Sequence, residues 1–502
     1  MDAVWKLAVS ENPKYPQLTN SLVTDVAVIG GGITGLTVAL QLAEAGKHVV
    51  LLEAGRVGEG NSGYSTGNLY STLAKGIATV RDKWGDKVTT DVVQSRSEAV
   101  DLIENLTERF GIDCQFSRRP LYRFLTESNR KLAKSLDEEM DALKSAGLEV
   151  NEIKEDLPGF RVSKGLKLDD QAQFNPLLYV QGLARAASSV GVAIYEHSPV
   201  RDIDYDGNEV KTDLASVKAR SIVHATHTPK GISLLQTGMV PSREYGVSAK
   251  VDATGAPEGI FWALGSFHSV RSYRYGEDHY VMAIGEKHGV GEGKLGRGYY
   301  DNLRDYLSKH FDVKSFEHEW SAQQFSSADG LPYIGRMHGL DEAYVATGFG
   351  ADGLVWGTLA GMIISDLVQV RDNRWSKRFD ARRFTPVKSM KGWTEENVKV
   401  SKHMVKDFLN PEKIEALSDV EPGQGKVVSL DGERLAVYRN SDGDCSVVSG
   451  ICPHMKCHVH WNAADTTWDC PCHGSRFSTD GAVIEGPAYH PLEKRIAPEE
   501  QK

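Results

Sequence analysis

The stretch TDVAVIGGGITGLTVALQLAEAGKHVVLLEAG, residues 24–55, decides the fold of most of this chain. The apolar run Val26–Ile29 predicts a strand, and the glycines of Gly30-x-Gly32-x-x-Gly35 predict a tight turn that opens an Ala- and Leu-rich helix. A second apolar run, His48–Leu52, predicts another strand, which ends on Glu53. This order of strand, helix and strand favours a parallel α/β domain.

Each residue of this motif has a physical reason. Gly30 permits the turn, Gly32 lets the backbone approach a pyrophosphate, and Gly35 lets helix and strand pack closely. The helix N-terminus offers free N–H groups and a partial positive charge to phosphates. Glu53 is placed to accept hydrogen bonds from ribose hydroxyls. The motif therefore predicts dinucleotide binding.

The composition fits a multidomain globular protein. The chain has 502 residues, 40% of them hydrophobic and 25% charged, with a formal net charge of −10. No apolar run is long enough for a membrane span, and the N-terminus lacks the pattern of a secretory signal, so we expect a cytoplasmic protein. Without a Lys/Arg block, nucleic acid is a poor partner.

The chain reads as three sections. Residues 1–393 alternate strand-like and helical runs, residues 394–418 are polar and helix-prone, and residues 419–502 contain short β-prone runs between Gly- and Asp-rich turns. We therefore expect an α/β domain with an interleaved antiparallel subdomain, a helical linker and a small all-β domain.

The loop after the second strand, AGRVGEGNSGYSTGN at 54–68, resembles the second FAD motif of the D-amino-acid oxidase and sarcosine oxidase superfamily. Further similar segments are Pro199-Val200, IVHAT at 222–226, DGLPYIG at 329–335, and the closing segment 343–368. The resemblance implies an FAD-binding domain with an antiparallel substrate subdomain. The cofactor-binding residues that it implies are Gly30, Gly32, Ile33, Thr34, Gly35, Glu53, Ala54, Arg56, Asn61, Ser62, Thr66, Gly67, Val200, Thr226, Gly350, Gly353 and Leu354.

A second glycine motif, Gly348-x-Gly350-x-x-Gly353, lies in the closing segment. It could be an NAD site, but no second strand ending in an acid follows it at the required distance. Its helix is more similar to the one whose N-terminus faces the flavin ring in this family. Because the second loop carries Tyr64 and Ser65, and residues 343–360 contain no Cys, we expect FAD to be bound non-covalently.

The superfamily removes a hydride from a C–H bond beside an amine nitrogen, which implies an amine, an amino acid or an N-methyl amino acid as substrate. Arg271, Tyr273 and Tyr275 share one face of a strand-like run and are our candidate substrate residues. An Arg could clamp a carboxylate in a fork. The alternative is a solvated strand face with aromatic packing.

Near the end of the chain stand Cys452-x-His454 and Cys470-x-x-His473. Two Cys and two His could hold structural zinc, but zinc fingers usually pair Cys with Cys and His with His along the chain. Here each of the two short segments contains one Cys and one His. This pattern suits a cluster with two thiolates on one iron and two imidazoles on the other.

The loops CPHMKC and CPCHGS resemble those of the Rieske [2Fe–2S] family, with Cys452, His454, Cys470 and His473 as ligands. That resemblance also implies a disulfide between Cys457 and Cys472, and a hydrogen bond from Ser475 to a cluster sulfur. We interpret His458 and His460 as bystanders.

Together the two motifs predict that FAD oxidises an amine or amino acid and that electrons leave through the cluster to an external acceptor. The alternative is a reductase component that supplies a partner enzyme and has no amine substrate. A terminal oxygenase is disfavoured, since no set of two His and a carboxylate follows residue 477. An oligomer is compatible with either interpretation.

Overall fold

The computed structural model describes residues 3–9, 13–385, 388–389, 412–413, 417–430 and 432–495. The linker predicted for 394–418 lies largely outside these residues. Within it, Glu412–Lys413 forms a short strand, and Leu417–Asp419 forms a single 3₁₀ turn.

The part of the chain before the linker contains eight helices among the described residues. They are α1 (Ile33–Glu44), α2 (Ala78–Trp84), α3 (Asp86–Arg109), α4 (Arg130–Ser145), α5 (Pro176–Ser189), α6 (Gly298–His310), α7 (Gly353–Val368) and α8 (Ser376–Phe379).

The same part contains seventeen described strands. They are β1 (Leu22–Ile29), β2 (Val49–Leu52), β3 (Asn68–Leu69), β4 (Ser117–Leu125), β5 (Val150–Ile153), β6 (Lys164–Gln173), β7 (Ala193–Tyr195), β8 (Asp202–Asp204), β9 (Glu209–Lys211), β10 (Ser216–His224), β11 (Met239–Val251), β12 (Ile260–Ala263), β13 (His268–Tyr275), β14 (Asp278–Gly289), β15 (Ser315–Ser327), β16 (Tyr333–Arg336) and β17 (Ala343–Thr347).

The first sheet is the predicted α/β layer. Its order is β16-β17-β10-β1-β2-β7, with β17, β10, β1, β2 and β7 parallel and β16 antiparallel to β17. All four residues of β2 and the last four of β1 are buried, as expected for a parallel sheet covered on both faces. Because β1, β2 and β10 end at one edge, the loops that follow them meet there.

The second sheet is the antiparallel subdomain. Its order is β15-β11-β14-β13-β12-β4-β6-β3, and every pairing in it is antiparallel except that of β12 with β4. Helix α6 packs its buried Tyr300, Leu303 and Leu307 against one face of this sheet. The other face is turned towards the first sheet, which leaves room for a ligand between them.

The C-terminal domain is all-β, as predicted. Its strands are β18 (Glu412–Lys413), β19 (Gly425–Leu430), β20 (Glu433–Arg439), β21 (Cys445–Ser449), β22 (His460–Asn462), β23 (Thr467–Asp469), β24 (Arg476–Phe477) and β25 (Val483–Glu485). They form two four-stranded sheets, β18-β19-β20-β21 and β22-β23-β24-β25.

One helical stretch, Gly350–Val368, is long and apolar enough to cross a membrane by length and composition alone. It contains α7, most of which is buried against α1 in the core. The two helices approach closely at glycines: a Cβ on Gly361 would lie 2.4 Å from Cγ2 of Thr37. This stretch is therefore a core helix of the α/β domain.

The close helix contact gives a test of the packing. We expect Gly361→Ala to lower the thermal midpoint, because overpacking a core costs about 1–3 kcal/mol. Gly265→Ala is the matched control, since a Cβ there meets no atom within 4 Å. Calorimetry of both variants with FAD in excess measures the effect, and equal midpoints would contradict the described packing.

Candidate functional site

A cavity of about 690 Å³ lies between the edge where β1, β2 and β10 end and the large antiparallel sheet. Its lining includes Gly30–Thr34 and Leu52–Arg56 on one side and residues of β11, β14 and β15 on the other. The cavity therefore joins the predicted dinucleotide loop to the predicted substrate subdomain.

The glycine turn has a backbone that tolerates no side chain at two positions. Gly30 has φ of +111°, and a Cβ there would lie 2.4 Å from the carbonyl oxygen of Ala225. A Cβ on Gly35 would lie 2.0 Å from the carbonyl oxygen of Gly30. These approaches hold β1, α1 and β10 together at the cavity edge.

Two side chains fix the turn. The Glu53 carboxylate accepts hydrogen bonds from the N–H groups of Gly31 (2.7 Å) and Gly55 (2.8 Å). Burial raises the pKa of Glu53, and these N–H groups oppose the shift. At the start of α1, the Ile33 N–H donates to Ser62 Oγ at 3.1 Å. The second loop is thus tied directly to the first.

The structure brings nearly all the predicted cofactor residues to this cavity. Every one of them lines it except Gly35 and Gly67. Gly35 packs behind the turn, while Gly67, with φ of +68°, lies against the carbonyl oxygen of Phe174.

The lining fits an anionic dinucleotide. N–H groups at the start of α1 face the cavity beside the glycine turn, and the cationic Lys230 lines the same end. Burial lowers the pKa of Lys230 to about 8, and Arg201 adds to this shift, while the carboxylates of Glu53 and Glu485 oppose it. A phosphate would supply the negative charge that this end of the cavity favours.

The three candidate substrate residues lie elsewhere. Arg271 is buried, but its guanidinium donates to the carbonyl oxygens of Thr66, Gly67 and Phe174 instead of facing the cavity. Tyr273 is buried beside Trp5, whose ring it meets edge-on, and Tyr275 is 43% exposed. None of the three lines the cavity. Arg271 thus stabilises the loop at residues 54–68 through hydrogen bonds to its backbone.

Sequence reasoning missed the residues that form the wall opposite the glycine turn. Trp262, Trp320, Glu244 and Gln324 line the cavity from three different strands, β12, β15 and β11. These three strands are far apart along the chain and the residues match no short motif, so only the sheet pairing could have identified them.

The C-terminal domain brings the four predicted cluster ligands together. The Cys452 and Cys470 thiols are buried and hydrogen-bonded to one another, and the rings of His454 and His473 have centroids 5.1 Å apart. His473 Nδ1 is buried without a hydrogen-bond partner in the described chain. His454 engages a carbonyl oxygen through Nε2, which leaves its Nδ1 for a metal. This donor set fits a [2Fe–2S] cluster with two thiolates and two imidazoles.

The surroundings of these loops also fit a cluster. A disulfide joins Cys457 to Cys472 and so links the two loops. A hydrogen bond from the Cys470 thiol, together with backbone N–H groups and the Ser475 hydroxyl, lowers the pKa of Cys452, although burial opposes this. Ser475 is fully buried, and its Oγ accepts from the Ala488 N–H at 3.1 Å. The loops thus present several hydrogen-bond donors to sulfur.

A buried ion network holds the C-terminal domain against the large sheet. Arg243 of β11 has no exposed side-chain surface, and its Nη1 lies 2.7 Å from Asp465 Oδ2. Arg476 also pairs with Asp465, at 3.1 Å, and with Asp469, at 3.2 Å. Burial would raise the pKa of Asp465, but Arg243 and Arg476 hold it below its usual range. Glu485 lies 3.7 Å from both guanidiniums.

Contacts to the backbone extend this interface to the cluster loops. His454 Nε2 lies 3.1 Å from the carbonyl oxygen of Gly231, and Gln323 Nε2 donates to the carbonyl oxygen of Gly474 at 2.7 Å. His460, a bystander by sequence, lies with Nδ1 2.7 Å from the carbonyl oxygen of Gly291. It is a contact of the interface.

The C-terminal domain also forms part of the cavity itself. Ala482–Gly486, Tyr489 and Pro491 line it together with the dinucleotide loop. Gly486 packs against Lys230, and the Lys230 Nζ donates to the carbonyl oxygen of Ala488 at 3.3 Å. The segment beside the cluster loops is therefore a wall of the dinucleotide cavity.

Comparison with known proteins identifies both parts. A family model for FAD dependent oxidoreductase matches residues 25–367, and one for the Rieske [2Fe-2S] domain matches residues 410–495. The chain is 31% identical over 500 residues to a putative Rieske 2Fe-2S iron-sulfur protein of Bacillus subtilis, covering 98% of this chain and 97% of that protein.

Two further relatives match the first domain alone. Gamma-glutamylputrescine oxidoreductase of Escherichia coli is 26% identical over 392 residues, covering 74% of this chain and 90% of that protein. The crystal structure of glycine oxidase from Geobacillus kaustophilus superposes with a TM-score of 0.60 at 22% identity, covering 72% of this chain and 99% of that one. The latter likeness shows the fold.

The ligand assignment is tested by losing one imidazole. We expect His473→Ala to lack the visible absorbance and the reduced-state EPR signal of a Rieske cluster while keeping its FAD, because the cavity lining is unchanged. His458→Ala is the control and should keep both groups. A cluster of normal spectrum in His473→Ala would refute the assignment.

The interface is tested at its buried arginine. Arg243→Met leaves Asp465 and Asp469 with one cation fewer, and breaking such a buried pair costs about 3–5 kcal/mol. We expect faster cleavage between the domains in limited proteolysis and faster FAD release. Lys250→Met, at an exposed pair on the same strand, is the control. Equal rates in the two variants would show that the network does not hold the domains together.

Proposed function

We propose that this chain, which belongs to the family of FAD-dependent oxidoreductases and carries a C-terminal Rieske [2Fe-2S] domain, oxidises an amine, an amino acid or an N-methyl amino acid at a C–N bond. Electrons then leave through the Rieske domain to an external acceptor. We place this activity in the cytoplasm.

The two domains carry FAD and a [2Fe–2S] cluster. When bound, FAD supplies two-electron chemistry at a carbon beside nitrogen, and the cluster supplies a one-electron carrier. The observation that carries the proposal is the shared cavity, because Ile484, Glu485 and Gly486 of the Rieske domain line it together with the glycine turn.

The protein's own residues prepare the site. The N-terminus of α7 lines the cavity at Gly353 and Leu354, where its dipole favours negative charge on a bound ring. Arg96, whose guanidinium is fully buried, lies 3.2 Å from Asp352 at the start of this helix. The pair anchors the helix end at the cavity.

The contact at His454 supports transfer within one chain. Its imidazole lies against the carbonyl oxygen of Gly231, and the adjacent Lys230 lines the dinucleotide cavity. A cluster ligand would therefore lie one residue from the wall of the FAD site.

The non-covalent attachment of FAD is also part of the proposal. Acid precipitation of the protein should therefore release the flavin into the supernatant.

One of the two relatives of the first domain supports an amine substrate, while the name of the other states the amino acid glycine. The name of the Escherichia coli relative states gamma-glutamylputrescine as what that protein acts on, and the chain covers 90% of that protein. At 26% identity the comparison indicates the class of substrate and not its identity.

The proposal is tested by anaerobic mixing with a panel of secondary and N-methyl amines, amino acids and polyamines. We expect members of the panel to bleach the flavin absorbance and to produce the reduced-cluster EPR signal. In His473→Ala the flavin should bleach without the appearance of a reduced-cluster EPR signal. This variant should also lose turnover with one-electron acceptors. Bleaching by NADPH or reduced ferredoxin alone would instead support a reductase component.

A further inference from the structure

The half of the cavity built by the large sheet differs in charge from the half around the glycine turn. Among the described lining residues from β11 to β15, Glu244 is the single charged side chain. Its neighbours in the lining include Trp262, Trp320 and Ile284. This half is an apolar and aromatic chamber with one carboxylate.

The sheet aims Glu244 into the chamber. The side chains of Arg243 and Tyr245 lie on the α6 side of the sheet, because Tyr245 packs edge-on against Tyr300 and Arg243 pairs with Asp465. Side chains alternate between the two faces along a strand, so Glu244 faces the opposite side. Across the strand pair, Arg243 is opposite His288 and Tyr245 is opposite Gly285. The strand β14 therefore has one extra residue opposite Glu244.

This bulge determines what supports the carboxylate. Glu286, at φ of +57°, turns to His268, with 3.2 Å between His268 Nε2 and its carboxylate. The next residue, Lys287, turns to the other side, where its Nζ lies 3.9 Å from Glu244. Lys287 Nζ donates to Gln324 Oε1 at 3.0 Å, and the Gln324 side chain also hydrogen-bonds Glu244.

Lys287 supports Glu244 from outside the cavity, since it is not a lining residue, whereas Gln324 contacts Glu244 within the lining. Burial raises the pKa of Glu244, and Lys287 and Gln324 oppose the shift without abolishing it. A further positive charge on the cavity side would stabilise the ionised carboxylate.

The described lining residues of this half offer no cation to a substrate carboxylate. The three buried arginines among the described residues of the sheet are all engaged elsewhere: Arg243 with Asp465, Arg123 with Glu139, and Arg271 with backbone carbonyl oxygens. The arginines among the described lining residues, Arg56 and Arg201, stand at the dinucleotide end. An amino acid bound in the chamber would leave its carboxylate unpaired, which is costly.

We propose that the substrate is a cationic amine without a carboxylate beside its nitrogen. Glu244 binds the ammonium group of this amine in the chamber that the side chains of Trp262 and Trp320 also line. A carboxylate gives a charge-assisted hydrogen bond, and aromatic faces attract a cation. This inference rests on the proposed amine oxidation and narrows its substrate class.

The test measures binding with probes that cannot be oxidised. Benzyltrimethylammonium has a permanent positive charge, and benzoate has similar size with a negative charge. The holoenzyme is titrated with each, and binding is followed by tryptophan fluorescence and by the shift of the flavin spectrum. We expect the cation to bind at least about tenfold more tightly than benzoate.

Two variants and a control locate the effect. Glu244→Gln should weaken binding of the cation about tenfold and leave the affinity for benzoate unchanged or higher. Glu244→Asp should keep the preference for the cation. Glu286→Gln, one residue from Lys287 and outside the lining, should behave as the wild type. FAD content confirms that each variant retains its cofactor.

The outcomes separate this inference from the proposed function. Tighter binding of benzoate by the wild type, or an unchanged affinity of Glu244→Gln for the cation, would overturn the assignment even if amino acids bleach the flavin. Selective cation binding without bleaching by any amine would support the site and refute the oxidation.

Discussion

The arrangement of the two domains depends on the buried pairing of Arg243 with Asp465. A guanidinium without exposed surface is unstable unless carboxylates face it, and those carboxylates come from the Rieske domain. The reverse is also true, because Asp465 and Asp469 would be buried with Arg476 alone. Docking removes these charges from water, so it requires that they pair with one another, and it places Ile484–Gly486 in the wall of the FAD cavity.

Features that depend on local chemistry can be predicted from the sequence. The turn at Gly30 and the two Cys/His loops require given residue types at fixed spacings, so the order of residues alone identifies them. Contacts between distant segments cannot be identified in this way. The strand pattern around Arg271 indicates a shared face but not what that face meets. Arg271 in fact supports the loop at Thr66, 205 residues away, and His460 likewise contacts Gly291 of the other domain.

The cavity combines two environments that suit different parts of one reaction. At the dinucleotide end, backbone N–H groups and Lys230 favour negative charge. In the chamber under the large sheet, Glu244 is the single charged side chain among the described lining residues from β11 to β15, which include Trp262 and Trp320. This polarity suits an anionic cofactor at one end and the cationic substrate that we propose at the other, with the Rieske domain forming one wall of the cavity.

The central claim is that one chain contains both ends of the electron path. Anaerobic rapid mixing with an active amine, at enzyme concentrations spanning about a hundredfold, tests it through the rate at which the cluster EPR signal appears after flavin bleaching. Intramolecular transfer is first-order, so the account predicts a rate constant that does not depend on enzyme concentration. A rate that rises in proportion to enzyme concentration, or a cluster that stays oxidised, would contradict it.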